Sequence, residues 1–138
     1  VLIGISIGKL NSDYRNLFQF YLKQIQTRLN WIEISEKKAL NTEGIVKHIP
    51  ATAFVICLDE TGKTMSSPEF SSLLEHHEGT DIVFLIGAAQ GLDPKIKARS
   101  NLFLSFGKQT WPHQMARVML IEQIYRAEKI RMGHPYHK

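Results

Sequence analysis

The sequence predicts an α/β fold, a mainly parallel sheet of five or six strands with helices on both faces, built as one domain over residues 1–138. Three observations predict it. Short apolar, β-branched runs alternate with helical segments along the whole chain. Two of the runs, Ala53–Leu58 and Asp81–Ile86, are almost continuously apolar, as strands covered on both faces are. Cap and turn residues separate the segments, and no repeat, linker or low-complexity stretch interrupts them.

Val1–Ser6 reads as the first strand. Ser12 caps a helix expected to run to about Arg28, because Tyr14, Leu17, Phe18, Tyr21, Leu22 and Ile25 share one face. Trp31, Ile32 and Ile34 mark a second strand, and Glu43–Ile49 a short helix ended by Pro50. Ala53–Leu58 is the third strand. Ser67 suits an N-cap with Pro68 in the first turn of the next helix. Asp81–Ile86 is the fourth strand, Gly87–Gly91 a loop of small residues, and Asp93-Pro94 another helix start. Leu102–Phe106 is the fifth strand, Gly107–Pro112 a loop, and His113–Met132 the longest helix. In such sheets ligands bind beyond the carboxyl ends of the strands, which selects Leu58–Lys63, Gly87–Gly91 and Gly107–Pro112.

The last helix carries apolar residues all round its axis: Met115, Val118, Met119, Leu120, Ile121, Ile124, Tyr125, Ile130 and Met132. Two arrangements bury such a helix, a central place in its own domain or contact with a second copy. The second is favoured here, as a twofold homodimer.

The 138 residues have ordinary globular composition, with 43% hydrophobic and 22% charged residues, so the chain can fold on its own core. No apolar run approaches the roughly 20 residues that span a bilayer, so no membrane partner is expected. No secretory leader is expected from the residues that open the sequence, and the single cysteine, Cys57, fits a reducing cytoplasm. The net charge is +4, and its placement is uneven. Residues 1–107 are neutral overall, while residues 108–138 hold six basic residues (Lys108, Arg117, Arg126, Lys129, Arg131, Lys138) against Glu122 and Glu128. A basic excess at one end points to a polyanionic partner.

Several chemistries are excluded. Gly62-Lys63-Thr64 has Cys57 where a P-loop needs its first glycine, so no loop remains to cradle phosphates. His76 and His77 are helix neighbours about 100° apart and cannot face one ion, so no metal site is expected. Cys57 sits mid-strand as a core residue, and no hydrolase nucleophile motif is present. The tail Pro135-Tyr136-His137-Lys138 pairs donors with an aromatic ring, a combination suited to phosphate contact and base stacking.

Five ordered motifs carry a resemblance over essentially the whole chain: Leu58-Asp59-x-x-Gly62-Lys63; Phe84-Leu85-Ile86-Gly87…Gly91-Leu92; Leu104-Ser105…Thr110-x-Pro112-His113-Gln114; Glu122-Gln123-Ile124-Tyr125-Arg126-Ala127; and the tail Pro135–Lys138. The chain resembles the bacterial ribosomal RNA large-subunit methyltransferase H family, of the SPOUT methyltransferase class. The resemblance implies methyl transfer from S-adenosylmethionine to nitrogen-3 of a pseudouridine in large-subunit (23S) rRNA. It also implies a trefoil knot near the C-terminus and a homodimer. The cofactor site it implies is Leu58, Gly87 and the run Phe106, Gly107, Lys108, Gln109, Thr110 and Trp111. Arg126, Tyr136, His137 and Lys138 would place the nucleotide. The catalytic proton acceptor is not marked.

This chain departs from the family pattern at Ala88, Gly107 and Gln109, and the segment Ser35–Asn41 is short for the family. The departures motivate one alternative, a non-catalytic ribosome-binding or RNA-binding module with the same fold; a second alternative is a methyltransferase of the same class with another RNA substrate.

Overall fold

A computed structural model describes residues 1–40, 42–87 and 91–137; of His137 it describes the backbone only. The five strands are β1 (Leu2–Ile7), β2 (Leu29–Ile34), β3 (Phe54–Lys63), β4 (Ile82–Ile86) and β5 (Leu102–Leu104). The helices are α1 (Ser12–Leu22), α2 (Glu36–Ala39), α3 (Glu43–Val46), α4 (Ser67–His76), α5 (Pro94–Ala98) and α6 (His113–Arg131), followed by a 3-10 turn at Pro135–His137. The strands form one sheet in the order β2-β1-β4-β3-β5, and every pairing is parallel.

Alternation along the strands builds two cores. Leu2, Ile56, Ile82, Phe84, Ile86 and Leu104 face α1, α4 and α6. Ile3, Ile5, Ile7, Val55, Cys57, Val83 and Leu85 face the other way, toward Ile45 of α3 and Ile96 of α5. The connections β1→β2 and β3→β4 step one way along the sheet and carry α1 and α4 on one face. Those stepping back, β2→β3 and β4→β5, carry α3 and α5 on the opposite face, as a single crossover handedness requires. Gly4 is required on β1 because the Trp31 indole of β2 occupies the space a β-carbon would need. The indole Nε1 donates to Ser6 Oγ at 2.9 Å, and its ring meets Phe18 edge-on.

The structure corrects the sequence expectations in five places. Helix α1 stops at Leu22 rather than near Arg28. The Glu128 carboxylate of α6 takes the Gln26 N–H at 3.0 Å and the Thr27 N–H and hydroxyl at 2.7 Å, so those residues turn toward α6 instead of continuing a helix. The α1 cap is Asn11, and the α4 cap is Ser66, one residue earlier than expected, closed reciprocally by Glu69. Strand β3 runs on to Lys63: its ladder with β5 breaks after Leu58 and resumes at Lys63, which pairs with Leu104 again. The short helix α2 was not expected.

The fifth correction concerns α6. Its apolar girdle is buried within its own chain, between α1 and α4, with Leu120 and Ile121 0% exposed and Ile124 2%. The central placement, and not a second copy, accounts for most of that girdle. Charged positions enter the core as well: Arg117 is 1% exposed and Glu128 5%, each with partners inside the fold. Only a half-exposed strip, including Met115, Met119, Glu122 and Arg126, is left facing outward.

Candidate functional site

Strand β5 is an edge strand, yet α6 lies on the far side of α4 beside α1. The chain therefore returns across the sheet through residues 105–112. This return places the loop at the carboxyl ends of β3 and β4. A cavity of about 450 Å³ opens there, a volume suited to a small cofactor. Its walls come from Leu58, Asp59 and Glu60 after β3; Ile86, Gly87, Gly91 and Leu92 after β4; Phe106, Gly107, Gln109, Trp111 and Pro112 of the loop; His113 and Ala116 of α6; and Lys97 of α5.

Six of the eight residues expected to hold the cofactor line this cavity: Leu58, Gly87, Phe106, Gly107, Gln109 and Trp111. Lys108 and Thr110 do not line it. Lys108 is exposed, and the Thr110 hydroxyl donates to Glu60 Oε2 at 2.6 Å. Ala88 lies outside the described residues. Gly107 adopts φ of +117°, a conformation open to glycine, where the loop leaves Ser105. The Ser105 hydroxyl accepts from the Gly107 N–H at 3.1 Å and sits between the carbonyls of Glu60 and Gly107. Gly87 lines the cavity, and a β-carbon there would also strike the backbone of Gly91 and Leu92, so that close approach requires glycine as well.

The cavity mixes apolar walls with three charges that composition did not reveal. Asp59 accepts from the Thr61 N–H and hydroxyl and pairs with Lys97 at 3.2 Å. The Thr61 N–H foremost, with Lys97 adding to it, holds the Asp59 carboxyl below its ordinary range. Lys97 arrives from α5, whose placement over the end of β3 is a property of the fold and not of local sequence. Burial pushes the Cys57 thiol up to about 11, so it stays a neutral core residue, as expected.

A second hollow of about 510 Å³ lies beside the first and shares Leu104, Phe106 and Gly107 with it. It runs between α1, α4 and α6, past Leu17, Tyr21 and Met119, to Glu122. At that end stand two of the residues expected to place the nucleotide. Arg126 donates from Nε to Glu122 at 2.7 Å and pairs with it through Nη2 at 2.6 Å, the helical i, i+4 spacing. The guanidinium lies 5.0 Å from the Tyr136 ring centre, whose edge meets Tyr125. The bond from Glu122 raises the Arg126 pKa, and burial, with Tyr21 and Glu122 beside it, raises that of Tyr136. Glu122, for which the sequence alone signals no role, is thus the hub of this cluster. His137 backbone follows in the 3-10 turn, and Lys138 lies outside the described residues. Of the six basic residues in the C-terminal region, three are engaged internally: Arg117 with Glu33, Arg126 with Glu122, and Lys129 over the Tyr125 ring. The basic excess is therefore not one continuous outward patch.

Among the described residues no group of three or more His, Cys, Asp or Glu is placed to hold a metal ion. No described helix is long and apolar enough to cross a membrane.

Comparison with known proteins adds three findings. The family described as "Predicted SPOUT methyltransferase" matches residues 3–137. The chain is similar to proteins called ribosomal RNA large subunit methyltransferase H: 40% identical to that of Clostridium botulinum (strain Langeland), covering 97% of each chain, and 41% identical to that of Acholeplasma laidlawii, again covering 97% of each. The first alignment runs over 154 positions, more than the length of this chain, so that relative carries residues absent here. Among solved structures the fold is similar to a probable methylase family protein from Haemophilus influenzae (TM-score 0.59, 12% identity, 96% of this chain and 66% of that one). It is also similar to the SpoU methyltransferase AviRb of Streptomyces viridochromogenes, solved with AdoMet (TM-score 0.53, 10% identity, 95% of this chain and 58% of that one).

Proposed function

Because the chain belongs to the SPOUT methyltransferase family and matches ribosomal RNA large subunit methyltransferase H relatives nearly end to end, we propose that it methylates nitrogen-3 of a pseudouridine in large-subunit rRNA. S-adenosylmethionine is the methyl donor. The observation that carries the reading is the cavity at the strand ends, walled by six of the eight residues matched to the family's cofactor site.

The residues fit that donor. The cavity volume, the backbone exposed at Gly107, the apolar side chains of Leu58 and Phe106, and the charges of Asp59 and Lys97 suit a molecule with an aromatic ring and a charged amino-acid end. When bound, the sulfonium supplies an already activated methyl group. The chain's own work is then positioning: Phe106–Trp111 and Leu58 enclose the donor, while α6 sets the distance to the nucleotide. Arg126, Tyr136, His137 and Lys138 hold the nucleotide, with Glu122 fixing the Arg126 guanidinium. The base loses one proton as the N–CH₃ bond forms, and its acceptor is left unassigned.

The trefoil knot belongs to this reading too. Its support is the return of residues 105–112 across the ends of β3 and β4, with the Ser105 N–H bound to the Lys63 carbonyl at 2.9 Å. A homodimer also belongs to it, now resting on the outward faces of α1 and α6, where Phe20 is 58% exposed and Leu17 46% beside Met119. A ribosomal substrate places the protein in the cytoplasm.

Mass spectrometry of large-subunit rRNA from a deletion strain tests the function. Loss of one methyl group from a pseudouridine, restored by the gene, is expected; an unchanged pattern contradicts it. The module without catalysis is tested by calorimetric titration with S-adenosylmethionine, where it should give no heat. A methyltransferase acting on another RNA would bind the donor and leave the large-subunit pattern intact.

A further inference from the structure

Thr110 sits in the cofactor loop but does not line the cavity; its hydroxyl reaches fifty residues back to Glu60 Oε2 at 2.6 Å. Glu60 lies in the irregular stretch between Leu58 and Lys63, where β3 leaves the ladder before pairing with Leu104 again. Both ends of that stretch are fixed. Leu58 pairs with Leu104 at one end; at the other, the Lys63 carbonyl accepts from the Ser105 N–H, and Gly62 passes so close to the backbone of Phe103 and Leu104 that no β-carbon fits. Glu60 is therefore presented from a held segment. The loop it meets is not held in the same way. It leaves Ser105 through Gly107 at φ +117°, and among the described residues its other side-chain ties come from its own stem, at Ser105 and the Phe106 carbonyl. A loop hinged at a glycine and tied only to its stem can swing, and one charge-assisted bond to an anchored strand end restrains it.

We propose that Glu60 is a positioning residue for the cofactor: through Thr110 it clasps the Gly107–Trp111 loop to the end of β3 and so fixes the outer wall of the cavity. This rests on the cavity being the cofactor site. Thr110 then acts on affinity without touching the ligand. Glu60 contributes by where it holds the loop, not by its charge, so the cationic donor and its neutral thioether product, S-adenosylhomocysteine, feel the clasp alike.

The test is calorimetric titration of both ligands into the full chain and its variants. Thr110→Val and Glu60→Ala should each weaken both ligands by about three- to twentyfold, since the lost bond is charge-assisted but exposed. The double variant should be no worse than either single one, because both remove one interaction. Thr110→Ser, which keeps the hydroxyl, should bind within about twofold of the wild type. Additive losses, or a loss confined to S-adenosylmethionine, overturn the clasp; the latter assigns Glu60 to charge recognition. Ala116→Phe, which fills the cavity from α6, serves as the control. If it abolishes binding while Thr110→Val binds as the wild type does, the clasp alone is wrong. If Ala116→Phe binds like the wild type, the cofactor lies elsewhere and the clasp falls with the site.

Discussion

The two ends of α6 are built on different principles. Its first turn, at His113 and Ala116, closes a cavity made where strands end: backbone, small residues and a returning loop. Its C-terminal half and the 3-10 turn that follows carry a network of side chains, with Glu122, Arg126, Tyr125 and Tyr136 bound to one another. The first end is shaped by topology and leaves an opening. The second satisfies its own charges and places Tyr136 against α6 before any partner arrives. A site formed from strand ends takes most of its shape from backbone, so few single side chains, Thr110 and Glu60 among them, reset it. A site formed from paired side chains changes with each of them.

The largest expected effect breaks both ends together. Ile121→Asp puts a carboxylate at a position that is 0% exposed in a single chain, and should cost more than about 4 kcal/mol, seen as an unfolded circular-dichroism spectrum. A soluble, folded monomer from that variant would show that the helix is covered only by a second copy. Glu128→Gln should act on the tail end and the α1 turn, costing about 2–3 kcal/mol by denaturant unfolding, because charged acceptors of the Gln26 and Thr27 donors are replaced. Burial would raise the Glu128 pKa, but the Gln26 and Thr27 bonds outweigh it and the folded value is lowered. Its stabilisation is therefore present above the unfolded glutamate range and lost as pH falls through the folded value. Wild type should lose stability below about pH 4.5 more steeply than Glu128→Gln. A parallel decline in the two proteins would contradict this. Ala116→Phe should act on the cavity end alone, weakening S-adenosylmethionine by about 5- to 150-fold, as overfilling a packed site costs about 1–3 kcal/mol, with RNA affinity retained in filter binding. The smallest effect is expected at the outward face: Phe20→Glu should leave the melting temperature nearly unchanged and weaken self-association in light scattering by about tenfold.

The same contrast explains what could be read from residues alone. Strands announce themselves by apolar runs, and the rule that ligands bind at strand ends selects Leu58, Gly87 and Gly107 before any coordinates. Asp59 and Glu60 were within reach, being next to Leu58. Lys97 was not, because only the packing of α5 brings it to Asp59. The end of α1 was misplaced for a similar reason: Glu128, about a hundred residues away, captures Gln26 and Thr27, and a periodic apolar pattern carries no trace of that. The girdle of α6 was legible as burial but not as burial by what. Apolar positions facing α1, α4 and the sheet look the same in sequence as positions facing a partner. The small residue at Gly87 is legible as a place where a ligand can approach; the close passage of Gly91 and Leu92 against it is not, because only the fold brings them there.

The division of labour along α6 is tested most directly by deleting Tyr136–Lys138 and measuring two quantities on the same preparation. S-adenosylmethionine affinity by calorimetry should stay within about twofold of the wild type. Methylation of large-subunit rRNA should fall by about 5- to 150-fold, since one stacking platform worth roughly 1–3 kcal/mol is lost, and the defect should shrink at higher salt as phosphate contacts lose weight. A truncated protein that loses cofactor together with activity, or that methylates at the wild-type rate, would contradict the assignment of cofactor to one end of the helix and nucleotide to the other.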